Sequence, residues 1–181
     1  MSSSEITKNS IITATKNLIK NRPIEKISTR DITNACGLNR NTFYYHFKDK
    51  YEILEWIFTH EVKPALDPYM KLGDWPESAV TLCELMRLEP EFYGNALKSG
   101  QNRQGSFIGI LETYFKEFFI QGGAAHYDRL GLSAENREMV ARFYSHAVIG
   151  IICDWVSFGM KKDPRKMAEI IHLVQEQKLF L

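Results

Sequence analysis

The chain has 181 residues, 44% of them apolar, and a formal net charge of +1, enough to bury a sizeable core as one domain or as a small domain on a larger one. No run approaches the ~18 uninterrupted apolar residues of a membrane helix, and MSSSEITKNS lacks the regions of a signal peptide, so a cytoplasmic chain with no membrane partner is expected. Charge is unevenly divided: residues 1–50 hold nine Lys and Arg against four acids, and residues 51–181 hold fourteen against eighteen, a basic head that suits a polyanionic partner.

Strand signals are almost absent, with no sustained alternation and no Asn-Gly or Asp-Gly turn, so the chain reads as all-α with about nine helices. A first helix from about Glu5 to Asn21 carries Ile11, Ile12, Thr15, Leu18 and Ile19 as a buried stripe, and Pro23 stops it. Ser28 with Asp31 makes a capping box for a short second helix with Ile32 and Ala35 on its inner face, and Gly37 permits the tight turn that follows. A third short helix runs from about Asn39 to Phe47. Asp49 with Glu52 repeats the cap and launches a long fourth helix into the 60s, where Pro64 and Pro68 bend or end it. Proline near the first helical position marks later starts at Trp75-Pro76, Glu89-Pro90 and Asp163-Pro164, while Gly73, Gly100, Gly131 and Gly159 mark breaks. The one domain boundary lies near residue 50, crossed by the fourth helix without a flexible linker.

Two short helices held around a glycine corner, with Ile27, Ile32, Ala35, Leu38, Phe43 and Phe47 as the apolar contacts, meet the demands of a helix-turn-helix. At about 100° per residue, burial of Phe43 turns Asn41 and Tyr45 outward and puts Thr42 and Tyr44 on the flanks. Arginine can pair bidentately with guanine and asparagine with adenine, while threonine or tyrosine can touch a thymine methyl, so the outer face from Asn39 to His46 suits a duplex. Thr29, Tyr44, His46 and Lys50 are candidate phosphate contacts.

Ser28 to Leu54 resembles the DNA-binding signature of the TetR family of bacterial regulators, with Thr29, Gly37, Leu38, Thr42, Tyr44, His46, Phe47, Lys50 and Leu54 on the recurring positions. Cys36 and Asn41 depart from it, and Leu38 stands where valine is common. The resemblance implies an all-helical homodimer: an N-terminal three-helix helix-turn-helix domain, 1–50, binds double-stranded DNA, and a C-terminal helical-bundle regulatory and dimerisation domain, 51–181, often holds a small-molecule effector. By carry-over, Arg40, Asn41, Thr42 and Tyr45 read bases, and Thr29, Tyr44, His46 and Lys50 hold phosphates. EWIFTHE, EPEFYGNALK and YSHAVIGIICDWVSFGM further resemble the subgroup that includes regulators of dihydroxyacetone kinase, some of which work with a regulatory protein and activate genes.

In the body, a helix over about Met139 to Phe158 is apolar on most of its circumference and should be covered on two sides. Its small positions His146, Gly150, Cys153 and Ser157 form one stripe that, with a last helix from Asp163 to Gln177, is expected to build a two-fold dimer interface. An effector pocket is expected among the fourth to eighth helices, with Tyr93, Tyr114, Tyr144 and His146 as its polar groups.

Other classes fare worse. Catalytic motifs such as G-x-S-x-G, a Gly-rich phosphate loop or H-E-x-x-H do not occur, so no enzyme is expected. Cys36, Cys83 and Cys153 are odd in number, far apart and outside any C-x-x-C pair, which predicts reduced thiols and neither metal nor cofactor. The expected function is a sequence-specific transcriptional regulator, a repressor in the first instance, binding a palindromic operator as a dimer and switched by a small molecule or partner. The alternative is an activator or coactivator controlled by a protein partner.

Overall fold

The computed structural model describes residues 2–98 and 105–175, in which every regular element is helical. The order is α1 (Ser3–Ile19), a 3₁₀ turn (Ile24–Lys26), α2 (Thr29–Cys36), α3 (Arg40–His46), α4 (Lys50–Ile57), a π-helical segment (Phe58–Val62), α5 (Lys63–Leu72), α6 (Trp75–Leu88), α7 (Pro90–Ala96), α8 (Phe107–Gly122), α9 (Ala124–Arg129), α10 (Ala134–Ser157) and α11 (Pro164–Gln175). Gly100 and the end of the last expected helix lie outside the described residues.

The chain divides into two compact units, Met1–Glu61 with Glu89–Ile110, and Val62–Leu88 with Leu111–Leu181. The boundary expected near residue 50 therefore falls inside the first unit, which also takes in α7 and the start of α8.

Local chemistry places the helices of the first unit. Ser2 and Glu5 form a capping box on α1, and Ser28 and Asp31 form one on α2. Gly37 adopts the left-handed conformation (φ 67°) that ends α2, and the Asn39 side chain accepts from the Thr42 amide to start α3. Ile11, Ile12 and Ile19 pack with Ile24, Ile27, Ile32, Phe43 and Phe47 as the core. The inner face of α2 differs from expectation: Thr33 is buried beside Ile32, its hydroxyl donating to the Arg30 carbonyl, and Ala35 is exposed. Lys16 joins α1 to two other parts of this unit, with Nζ 2.6 Å from both Glu61 and Glu89.

The expected fourth helix neither ends nor runs unbroken. Pro64 has no N–H to return to the preceding turn, and the chain widens into π-helical geometry just before it, then resumes as α5 with Pro68 inside. In the second unit α6 packs against α5 and α11. Ala141, Ser145, Val148, Ile149, Ile152 and Trp155 form the buried face of α10, with Val148 and Ile152 beside Trp75 at the start of α6. The Trp155 indole donates to the Lys162 carbonyl (2.8 Å), and the turn between them places Gly159 and Met160 at positive φ. By length and composition α10 could span a bilayer, but this buried face is core.

Candidate nucleic-acid interface

Phe43 is fully buried and Phe47 nearly so, and together they fix how α3 is rotated against the first unit. The rotation turns Arg40, Asn41 and Tyr45 to solvent, Tyr45 being 80% exposed, an uncommon position for a tyrosine that supports no core. Thr42 and His46 are half-buried at the flanks, and Tyr44 is exposed with its ring edge-on to Phe43 at 5.3 Å. The Tyr45 and His46 rings meet edge-to-face at 5.0 Å, which holds both on one side of the helix. All four expected base readers thus lie on one seven-residue helix beside a half-buried Thr29 at the start of α2.

Two side chains have duties beyond those expected of them. Thr42 donates its hydroxyl to Asn39 Oδ1 (3.1 Å), so its only hydroxyl donor is taken and it offers a partner its methyl group and oxygen lone pairs. Asn39 is therefore a cap that also orients a candidate reader, a role that the N-x-x-T spacing alone could have suggested. Lys50 departs from the expectation that it holds a phosphate: its ammonium donates to the carbonyls of Ile24 (2.6 Å), Glu25 (3.1 Å) and Ile27 (2.7 Å), which uses all three N–H groups. Burial pulls its pKa down, against the opposing pull of Glu25, Asp31 and Asp49. In this structure Lys50 braces the turn ahead of α2, and the exposed basic side chains beside the candidate face are Arg30, Arg40 and Lys48.

Asp31 is held below the ordinary carboxylate range first by the Ser28 amide, then by the Ser28 hydroxyl and by Arg22. The capping box of α2 is thus reinforced by an ion pair to Arg22 at 3.3 Å.

The expected effector-pocket residues are divided between the two units. Tyr93 belongs to the first unit, 4% exposed between the rings of Phe92 and Phe107. Tyr114 is buried in the second, its hydroxyl 3.5 Å from Asp67, and burial pushes both phenols well above the usual tyrosine range. His146 lies exposed on α10 with Nε2 3.8 Å from Glu112. Tyr144 borders an open cavity of about 460 Å³, shared with Trp75, Phe118, Phe119 and Tyr127. Burial was the deciding factor, and nothing in a run of aromatic residues reports it.

The small-residue stripe does lie on one outward face: His146, Gly150 and Ser157 are exposed and Cys153 half-buried. Phe143 (68% exposed) and Phe158 (76%) flank it, so α10 is covered by its own unit on one side only. The three cysteines form no disulfide, and burial pushes the Cys83 thiol up to about 12.

A capped α2, a left-handed glycine corner and an α3 with a polar-aromatic outer face define a helix-turn-helix DNA-binding domain. The chain belongs to the TetR family of bacterial regulatory proteins: that family's N-terminal pattern matches residues 11–57, and a transcriptional regulator C-terminal region matches residues 73–177. It is 24% identical over 182 residues to the HTH-type dhaKLM operon transcriptional activator DhaS of Lactococcus lactis subsp. lactis (strain IL1403), covering 99% of this chain and 95% of that protein. Its fold resembles the solved Dihydroxyacetone kinase operon activator DhaS, with a TM-score of 0.57, 21% identity, and 95% and 96% of the two chains covered. It also resembles native NalD, the secondary repressor of the MexAB-OprM multidrug efflux pump in Pseudomonas aeruginosa, with a TM-score of 0.64, 21% identity, and 96% of each chain covered.

Proposed function

We propose that this TetR-family regulator binds a palindromic operator as a homodimer and acts in the cytoplasm, where the chromosome is, with a small molecule or a partner protein setting its state. Arg40, Asn41, Thr42 and Tyr45 read bases in the major groove, and Thr29, Tyr44 and His46 position the backbone together with Lys48. The observation that carries this reading is the outward presentation of the α3 face, with Tyr45 80% exposed over a buried Phe43. Two copies joined through the outward face of α10 and through α11 would present two recognition helices to half-sites about 34–36 Å apart. Repression is the default expected of an operator-bound dimer, whereas the activator DhaS, similar over nearly the whole chain, favours activation with a partner protein as the second reading.

Selection of duplexes from a random pool tests the function. The expected product is an imperfect palindrome bound more weakly as salt rises, and replacing Arg40 or Asn41 should relax preference at particular base pairs by about 1–3 kcal/mol. Equal losses on every sequence from every α3 variant would sink the base-reading assignment.

A further inference from the structure

The cavity bordered by Tyr144 has the make-up of a built site. Trp75, Phe118, Phe119 and Tyr127 join Tyr144 as five aromatic walls around about 460 Å³, and Trp75, Phe119 and Tyr144 are linked by ring contacts at 5.7 and 5.4 Å. Its remaining surface is backbone laid bare by Gly73, Gly122 and Gly123, with the exposed His126 beside it. Two of these glycines, Gly73 and Gly123, are required by geometry. Gly73 sits at φ 69°, and a Cβ on Gly123 would run into the Tyr127 ring.

Among the described residues no Asp, Glu, Lys or Arg lines the cavity, so an ionic ligand would find no ion-pair partner there to offset its desolvation. The polar groups that remain can be assigned. Tyr127 already donates its hydroxyl to the Phe119 carbonyl (3.2 Å). Arg129 can only donate, so its contact with His126 Nδ1 (3.3 Å) makes that nitrogen an acceptor and puts the ring proton on Nε2. Among the described residues the Tyr144 hydroxyl has no hydrogen-bond partner, which leaves it and His126 Nε2–H for a ligand.

Resting on the regulator reading above, we propose that this cavity, rather than the Tyr93, Tyr114 and His146 set, binds the effector, and that the effector is an uncharged, flat aromatic molecule with a polar substituent. Stacking on Trp75 and Phe119 supplies the affinity and Tyr144 the orientation.

The test uses the full chain and 2-naphthol as probe in titration calorimetry, with octanoate and benzyltrimethylammonium as charged aliphatic and charged aromatic comparisons. One 2-naphthol per chain is expected, with the two charged probes weaker by about tenfold or more. Tyr144→Phe keeps the ring and should weaken binding about threefold to tenfold. Gly122 has room for a Cβ at ordinary contact distance, 3.9 Å from Phe118 and 4.0 Å from Gly73, so Gly122→Leu should fill the cavity and abolish binding. Absence of saturable 2-naphthol binding, tighter binding of either charged probe, or unchanged affinity in both variants overturns the proposal. DNA binding of the ligand-free chain is measured separately. A chain that binds its operator but not 2-naphthol refutes the cavity alone, and one that binds 2-naphthol but no DNA refutes the regulator reading alone.

Discussion

Replacing Lys50 by methionine separates a brace from a phosphate contact. Methionine keeps most of the stem but removes three N–H donors from the carbonyls of Ile24, Glu25 and Ile27 and the cation from above the Tyr51 ring, 5.3 Å from its centre. A hydrogen bond to a charged group contributes about 1.5–3 kcal/mol, but two things reduce the loss here. The lowered pKa shows that desolvation of the ammonium is incompletely compensated, and the Glu25 carbonyl is exposed and can rehydrate. A net loss of about 1–2 kcal/mol follows, or a fall in Tm of roughly 2–8 °C for a chain of this size. The assay pairs thermal unfolding with duplex affinity at several salt concentrations. A brace predicts a lower Tm and an unchanged slope of log affinity against log salt. Lys48→Met, which removes an exposed charge without touching the turn, should instead leave Tm in place and lower the slope by about 1. If Lys50→Met left Tm unchanged and lowered the slope by about 1, its ammonium would be on a phosphate and the brace refuted.

Other outcomes follow from single contacts. Burial alone would lower the Lys16 pKa, but hydrogen bonds to Glu61 and Glu89 outweigh it and the net shift is upward. The clasp therefore stabilises fully below the ordinary lysine value of 10.5 and is lost as pH rises through the raised value. Lys16→Met should destabilise by about 1–3 kcal/mol at pH 7, and urea titrations at pH 7 and above the raised value should show the difference from the parent shrinking; a constant difference would refute it. Thr42→Ser keeps the bond to Asn39 and loses only the methyl, so replacing the contacted thymine by uracil in the selected operator should weaken the parent and leave the serine variant unaffected. Phe143→Glu together with Ile151→Glu, both on the outward face of α10, should shift sedimentation from dimer to monomer without loss of helical content; an unchanged sedimentation coefficient would place the interface elsewhere.

Much of the head was determined by neighbours in sequence. The capping box of Ser28 with Asp31, the Asn39 and Asp49 caps and the left-handed Gly37 are interactions within a few residues, so the order of side chains suffices to predict the helices they bound. With those ends set, the burial of Phe43 gives the outward face of α3 by helical geometry alone. Where the outcome depended on distant packing, the sequence was silent. An eight-residue α2 makes little more than two turns, and its packing against α1 and α3 decided that Thr33 rather than Ala35 goes inward. Lys50 can reach solvent or protein equally well along its flexible stem, and only the folded path of a turn more than twenty residues earlier brings three carbonyls within its reach. The aromatic body makes the same point: Tyr93 and Tyr114 fill cores and Tyr144 borders a cavity, because space is a property of how helices pack and a sequence records only which rings are available to fill it.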